Sequence, residues 1–271
     1  MKKIILISGV TGSIGRATVY DLAKTGAKVV LLARNEKKLE ILKNEISRET
    51  GNHDIDYIVA DLSSINDVKK AITLFKEKNN QLDALVNIAA VYNRDRIVTK
   101  DNLETMFAIN HLAPFILTNG LLDLLKMSAS GRVVTVSAPS TTKLKFDDLQ
   151  GATKFSALSA FGGSKMMNLM FTYALSRRLK NTKVQALVLH PGVVKSELIN
   201  EMPTLLKFIF GLLSGKPDAA ANRLMQLTTS DDYANSNGKF FKFNGKEMKS
   251  SSYSYDQELQ EKLWAISEKL I

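Results

Sequence analysis

No cysteine occurs anywhere in these 271 residues. That absence removes disulfides and thiolate nucleophiles from consideration, and it suits a reducing compartment, so a cytoplasmic location is the expectation. No stretch reaches the roughly 18 apolar residues that a membrane-spanning helix requires. The opening, MKKIILISG, starts basic, but its apolar run stops at Ser8-Gly9. A signal-peptide core is longer than that, and a first buried strand fits better. Internal repeats, low-complexity tracts and linkers are also missing, so one domain over residues 1–271 is expected.

Positive charge is what the chain has in excess: 37 Lys and Arg against 27 Asp and Glu, a formal net charge of +10. A nucleic acid, an anionic membrane and an anionic cofactor could each answer that balance. Yet the bases are interleaved with acids, as in NEKKLEILKNEISRE, which is the pattern of a solvated helix face. No nucleic-acid partner is expected, and no metal site.

Six short β-branched runs recur along the chain: 3–8, 28–33, 56–60, 84–89, 132–137 and 184–190. They are apolar on both faces, as strands are when helices cover both sides of a parallel sheet. Segments of helical period lie between them, among them 14–25, 36–49, 64–79 and 102–127. The alternation predicts an α/β fold, a single-domain doubly wound parallel sheet (Rossmann fold) with right-handed crossovers and helices on both faces. Ligands in such sheets bind beyond the carboxyl ends of the strands, at the point where strand order reverses.

Two motifs fall there. SGVTGSIGR follows the first strand and opens a helix, so Gly9, Thr11, Gly12, Ser13, Ile14 and Gly15 would form a pyrophosphate turn at a helix N-terminus. At the end of the second strand, an NAD site would place a carboxylate to meet the ribose 2′-hydroxyl. None is present. Ala33-Arg34 stands there instead, with Arg16 in the first turn, and two guanidiniums suit a 2′-phosphate. The expected cofactor is therefore NADP(H).

The glycine turn is joined by ADLSS (60–64), LVNIAA (85–90), FAINHLAPFILT (107–118), GRVVTVS (131–137), SKMMNLMFTYALSRRL (164–179) and HPGVVKSEL (190–198). With these in order, the chain resembles the short-chain dehydrogenase/reductase family, in its retinol-dehydrogenase-like branch, along almost its whole length. The resemblance implies that Asp61 and Leu62 flank an adenine and that Asn87 ends the fourth strand beside the adenosine. It implies that Asn110 holds a water for proton relay and that Lys165 binds the nicotinamide ribose. Pro191, Gly192, Val193 and Ser196 would meet the carboxamide and phosphates.

The sequence departs from the family where the chemistry should be. The family's catalytic Ser falls on Ala138 and its catalytic Tyr on Phe161. Ser137 is expected to face away, because strand side chains alternate, and Ser140 lies beyond Pro139 in a loop. Tyr173 is more than three helical turns past Phe161, about 18 Å too far to substitute. Smaller departures are the G-x-x-G-x-x-G spacing and Ala90 where the family has Gly.

An apolar substrate lid is expected near 198–215, from PTLLKFIFGLLSG, either resting on the core or touching a membrane peripherally. Any substrate should then be a hydrophobic small molecule; oligomeric state is left open. Three functions fit these residues: an NADP(H)-dependent oxidoreductase of atypical mechanism, a redox-neutral cyclase or isomerase on the same scaffold, and a non-catalytic NADP-binding protein.

Overall fold

The computed structural model describes residues 2–194 and 215–271. Among these residues eight strands form one sheet in the order β3-β2-β1-β4-β5-β6-β7-β8. They are β1 (Ile4–Ser8), β2 (Lys28–Ala33), β3 (Ile55–Val59), β4 (Ala84–Asn87), β5 (Arg132–Val136), β6 (Gln185–His190), β7 (Phe240–Lys242) and β8 (Glu247–Met248). All neighbours are parallel except β7 and β8, which pair antiparallel at the edge. The order reverses between β1 and β4, which makes the gap above their carboxyl ends the topological switch point.

The β-branched runs became strands because the central ones bury both faces, while β3 at the sheet edge is only partly covered. All five residues of β5 and all four of β4 are buried. On one face pack α1 (Ser13–Lys24) and α2 (Glu36–Thr50), over Val19, Leu22, Leu39, Leu42 and Ile46. On the other pack α3 (Ile65–Lys78) and the long α7 (Ala157–Arg178). The helix ends follow local chemistry. Asn35 caps α2 by accepting from Lys38 N, and Gly51 closes it in the left-handed conformation at φ 71°. Ser64 caps α3 through Asp67 N.

Two features differ from the sequence expectation. Strands β7 and β8 are only three and two residues long, too short for a periodic signal. The helical run expected over 102–127 is broken into a turn α4 (Thr105–Phe107), a π-helical turn over Ala108–Leu112, α5 (Ala113–Gly120) and α6 (Leu122–Met127). Within the π turn the Ala113 N–H reaches back five residues to Ala108 O. Beyond the middle of the chain lie α8 (Asp218–Thr229), which packs on α1, and α9 (Gln257–Lys269), which packs on α7. Among the described residues no helix is long and apolar enough to cross a membrane. The expected lid, apart from Gly215, and Ser196 lie outside the described residues.

Candidate active site

A cleft of about 580 Å³ opens above the switch point. Its walls come from the turn after β1, the ends of β2 to β6, and the first turns of α7. At one end is the glycine turn. Gly9 has φ +76°, and a Cβ there would come within 2.6 Å of Ala89 N; a Cβ on Gly15 would strike Gly9 O at 2.1 Å. Those two glycines are required by the protein's own packing. Gly12 is different: its Cβ would meet no protein atom nearer than 3.6 Å, so what it keeps open is the cleft itself. The turn therefore fits an elongated group lying across the N-terminus of α1, whose N–H groups and dipole favour a phosphate.

Thr11, Ser13 and Ile14 line the same wall. Leu32, Ala33, Arg34, Ala60, Asp61 and Leu62 form a mainly apolar slot next to it. Arg34 is exposed at the rim, and among the described residues it takes part in no ion pair. Asp61 accepts from Ser63 N and Ser63 Oγ through one oxygen only. Arg16 corrects the expectation from sequence. It is absent from the cleft wall, and its guanidinium pairs with Glu45 of α2 at 2.6 Å over the Tyr20 ring. Helical geometry is the reason. Gly15, Thr18, Val19 and Leu22 take the inner face of α1, which leaves Arg16 and Tyr20 turned outward to α2.

At the other end stand Ala138, Phe161 and Lys165, with Ile88, Ala89, Ala90, Val91 and Ile109 around them. Lys165 is 6% exposed, and its Nζ lies 5.1 Å from the centroid of the Phe161 ring. Burial without an anionic partner pushes its pKa down to about 8. His190, Pro191, Gly192, Val193 and Val194 close this end. Burial, and then Lys242, lower the His190 pKa, which favours its neutral form.

The hydroxyls of Ser137, Ser140 and Tyr173, the three that sequence reading weighed as substitutes for the Ser and Tyr, are engaged elsewhere. Ser137 does not face away as alternation suggested, because β5 ends at Val136 and the chain turns there. It lines the cleft, but its hydroxyl donates to the Lys165 main-chain carbonyl at 2.9 Å. Ser140 donates to Gly162 O. Tyr173 bonds with Ser250 and stacks on Tyr255, away from the cleft.

Neither Asn87 nor Asn110 lines the cleft. Both amide atoms of Asn87 are buried with no partner. Asn110, expected to hold a water, is instead fully engaged within the protein. Its Oδ1 accepts from Val91 N at 2.8 Å, and its Nδ2 donates to Val91 O and Ser164 Oγ. Its main-chain carbonyl accepts from Asn168 Nδ2 at 2.8 Å. Asn110 thus clamps the loop after β4 to α7. Next on that loop is Tyr92, which sequence reading passed over. It lies edge-on to Phe161, ring centroids 5.6 Å apart. Its only signal in the sequence is an aromatic with a polar tip two residues beyond NIAA.

Comparison with known proteins adds the following. Residues 3–204 match the family described as short chain dehydrogenase. Human retinol dehydrogenase 13 is 34% identical over 281 aligned residues, covering 99% of this chain and 84% of that protein. Human polyprenol dehydrogenase is 33% identical, covering 98% and 84%. Among solved structures, a protein from Mycobacterium paratuberculosis superposes with a TM-score of 0.80 at 26% identity, covering 99% of this chain and 92% of that one.

Proposed function

Since this chain belongs to the short-chain dehydrogenase family, a family of oxidoreductases that bind nicotinamide cofactors, we propose that it is an NADP(H)-dependent oxidoreductase of atypical mechanism. Its substrate is a hydrophobic small molecule. NADP(H), when bound, supplies or accepts the hydride. Gly9, Gly12 and the N-terminus of α1 hold the pyrophosphate, and Arg34 at the rim meets the 2′-phosphate. Asp61 and Leu62 border the adenine slot. Lys165 holds the nicotinamide ribose; among the described residues no acceptor bonds its ammonium, so a ribose hydroxyl is the partner it would take. Pro191 to Val193 border the carboxamide.

The observation that carries this reading is the contrast within one cleft. The glycine turn, Arg34, Asp61, Leu62, Lys165 and Pro191 to Val193 all line it, whereas the position of each customary hydroxyl donor is apolar, Ala138 and Phe161. Relatives named for retinol and polyprenol support an apolar substrate. With Phe161 unable to give a proton and Ser137 committed to Lys165 O, charge that develops on a substrate oxygen must be met by another donor. The deciding experiment is NADPH oxidation with a panel of lipophilic aldehydes, enones and ketones, run beside calorimetric binding of NADPH and NADH. Tighter binding of NADPH and slow, substrate-dependent oxidation are expected. Equal affinity for the two cofactors would refute the NADP(H) assignment, and binding without any turnover would refute the oxidoreductase.

A further inference from the structure

The loop that leaves β4 holds two polar groups the fold does not satisfy. Tyr92 is 3% exposed, and its Oη has no hydrogen-bond partner. On the next residue, Asn93 Nδ2 is buried and equally unpartnered. Buried donors in folded proteins nearly always find partners, and each exception calls for a reason. Leaving one unmet costs folding free energy, and the cost falls twice here, on successive residues.

The surroundings supply the reason. Tyr92 packs with Met106, Val91, Phe155, Ala157, Ala160 and Phe161, an apolar set with no acceptor for a phenol. Its ring meets Phe161 edge-on, with an interplanar angle of 72°. The loop is not loose: Asn110 fastens Val91 on both its N–H and its C=O, and Val91 itself forms part of the cleft wall. Two donor groups therefore stand on successive residues, and the ring of the first touches Phe161, the residue at the family's Tyr position. The cleft has lost two hydroxyls, at 138 and 161, and the adjoining loop offers two unsatisfied donors, at 92 and 93.

We propose that Tyr92 Oη and Asn93 Nδ2 form the oxygen-recognition site of the substrate pocket, donating to the carbonyl or hydroxyl oxygen of an otherwise apolar ligand. This rests on the oxidoreductase reading for the hydride step, but the recognition itself does not need turnover. Tyr92 packs against Val91 and Phe161, both of which line the cleft, so a ligand reaches its hydroxyl by displacing the Phe161 ring edge. In carbonyl reduction the Tyr92 hydroxyl hydrogen-bonds the oxygen as negative charge builds and then gives it the proton. The phenolate left behind recovers a proton from solvent, so charge and protons balance over one cycle.

The test is Tyr92→Phe, which removes one oxygen and alters no packing, together with Asn93→Leu. Dodecan-2-one is the probe, titrated calorimetrically into the NADP⁺-loaded protein, alongside NADPH oxidation and thermal melting. Tyr92→Phe should weaken ketone binding by about 3- to 10-fold, the range of a single neutral hydrogen bond. Turnover should fall by about 100-fold or more. NADPH affinity should not change, and the melting temperature should stay level or rise, because an unmet hydroxyl has been removed. Adding Phe161→Tyr to Tyr92→Phe should restore turnover. Ketone affinity and turnover unchanged in Tyr92→Phe would overturn the proposal. So would a lowered melting temperature with lost NADPH affinity, since the hydroxyl would then be structural. Failure of the unaltered protein to oxidise NADPH would count against the oxidoreductase reading alone, because the ketone titration still reads Tyr92.

Discussion

The two ends of the cleft are built from different materials. At the nucleotide end the working parts are mainly backbone: a left-handed Gly9, a Gly15 whose Cβ would strike Gly9 O, and the N–H groups that open α1. At the reaction end they are side chains: Ala138, Phe161 and Lys165. A backbone cradle is tied to the packing of β1, α1 and β4, so it cannot be altered without disturbing the core. A hydroxyl on a side chain can be lost with little effect on the fold. The difference teaches that binding and chemistry can part company within one cleft, with the first conserved by packing and the second open to replacement.

The most severe way to break the contrast is to restore the reaction end. Phe161→Tyr with Ala138→Ser should raise NADPH-dependent carbonyl reduction by about 10²–10⁴-fold, the worth of a positioned general acid. Steady-state kinetics on one lipophilic aldehyde decides it. No change would mean that the scaffold around those positions has also moved.

Lys165 sharpens the contrast, because it belongs to both ends. Lys165→Met should weaken NADP(H) binding by about 1.5–3 kcal/mol, the range for a hydrogen bond to a charged group. The same change should stabilise the cofactor-free protein. The lysine titrates near 8 when folded and near 10.4 when unfolded, so protons favour the unfolded chain. The penalty is full below pH 8, at most about 3 kcal/mol, and disappears as pH rises from 8 to about 10.4. Melting against pH, for the unaltered and substituted proteins, should show the two curves converging across that window.

A milder effect is expected at the rim. Arg34 is exposed, so solvent screens its pairing. Arg34→Asp should still reduce the preference for NADPH over NADH by about tenfold, measured by titration of both cofactors. Arg16→Ala should leave that preference intact, since its partner is Glu45.

The smallest effect lies outside the cleft. His111 is wholly buried, and desolvation pushes its pKa down to about 4. The unfolded imidazole titrates near 6.5, so stability should fall as pH drops from about 6.5 toward 4. His111→Gln should flatten that part of the melting profile.

The sheet and the nucleotide end were legible because both rest on local rules. Runs such as KVVLLA announce strands buried on two faces, and glycine spacing after a strand announces a turn. Arg16 misled because one helical step decides whether a side chain faces the cleft or α2, and sequence distance does not reveal it. Asn110 sits where the family pattern placed it, yet the π turn gives its amide to Val91, a nonlocal bond with no periodic trace. Ser137 was misread because alternation stopped one residue early. Tyr92 was missed because an unmet hydroxyl is visible only once its neighbours are known.

The packing of α8 on α1 bears on how the chain is made. The first helix is complete in sequence at Lys24, yet one helix it packs against ends only at Thr229. During synthesis, then, the flank of α1 that meets α8 waits uncovered while most of the protein is still being translated. Strand β4 likewise presents an open edge until Arg132–Val136 arrives to pair with it. A ribosome paused between those two points holds a nascent chain with a sticky flank and an unpaired strand edge. That interval is when chaperones, proteases and aggregation would compete for it.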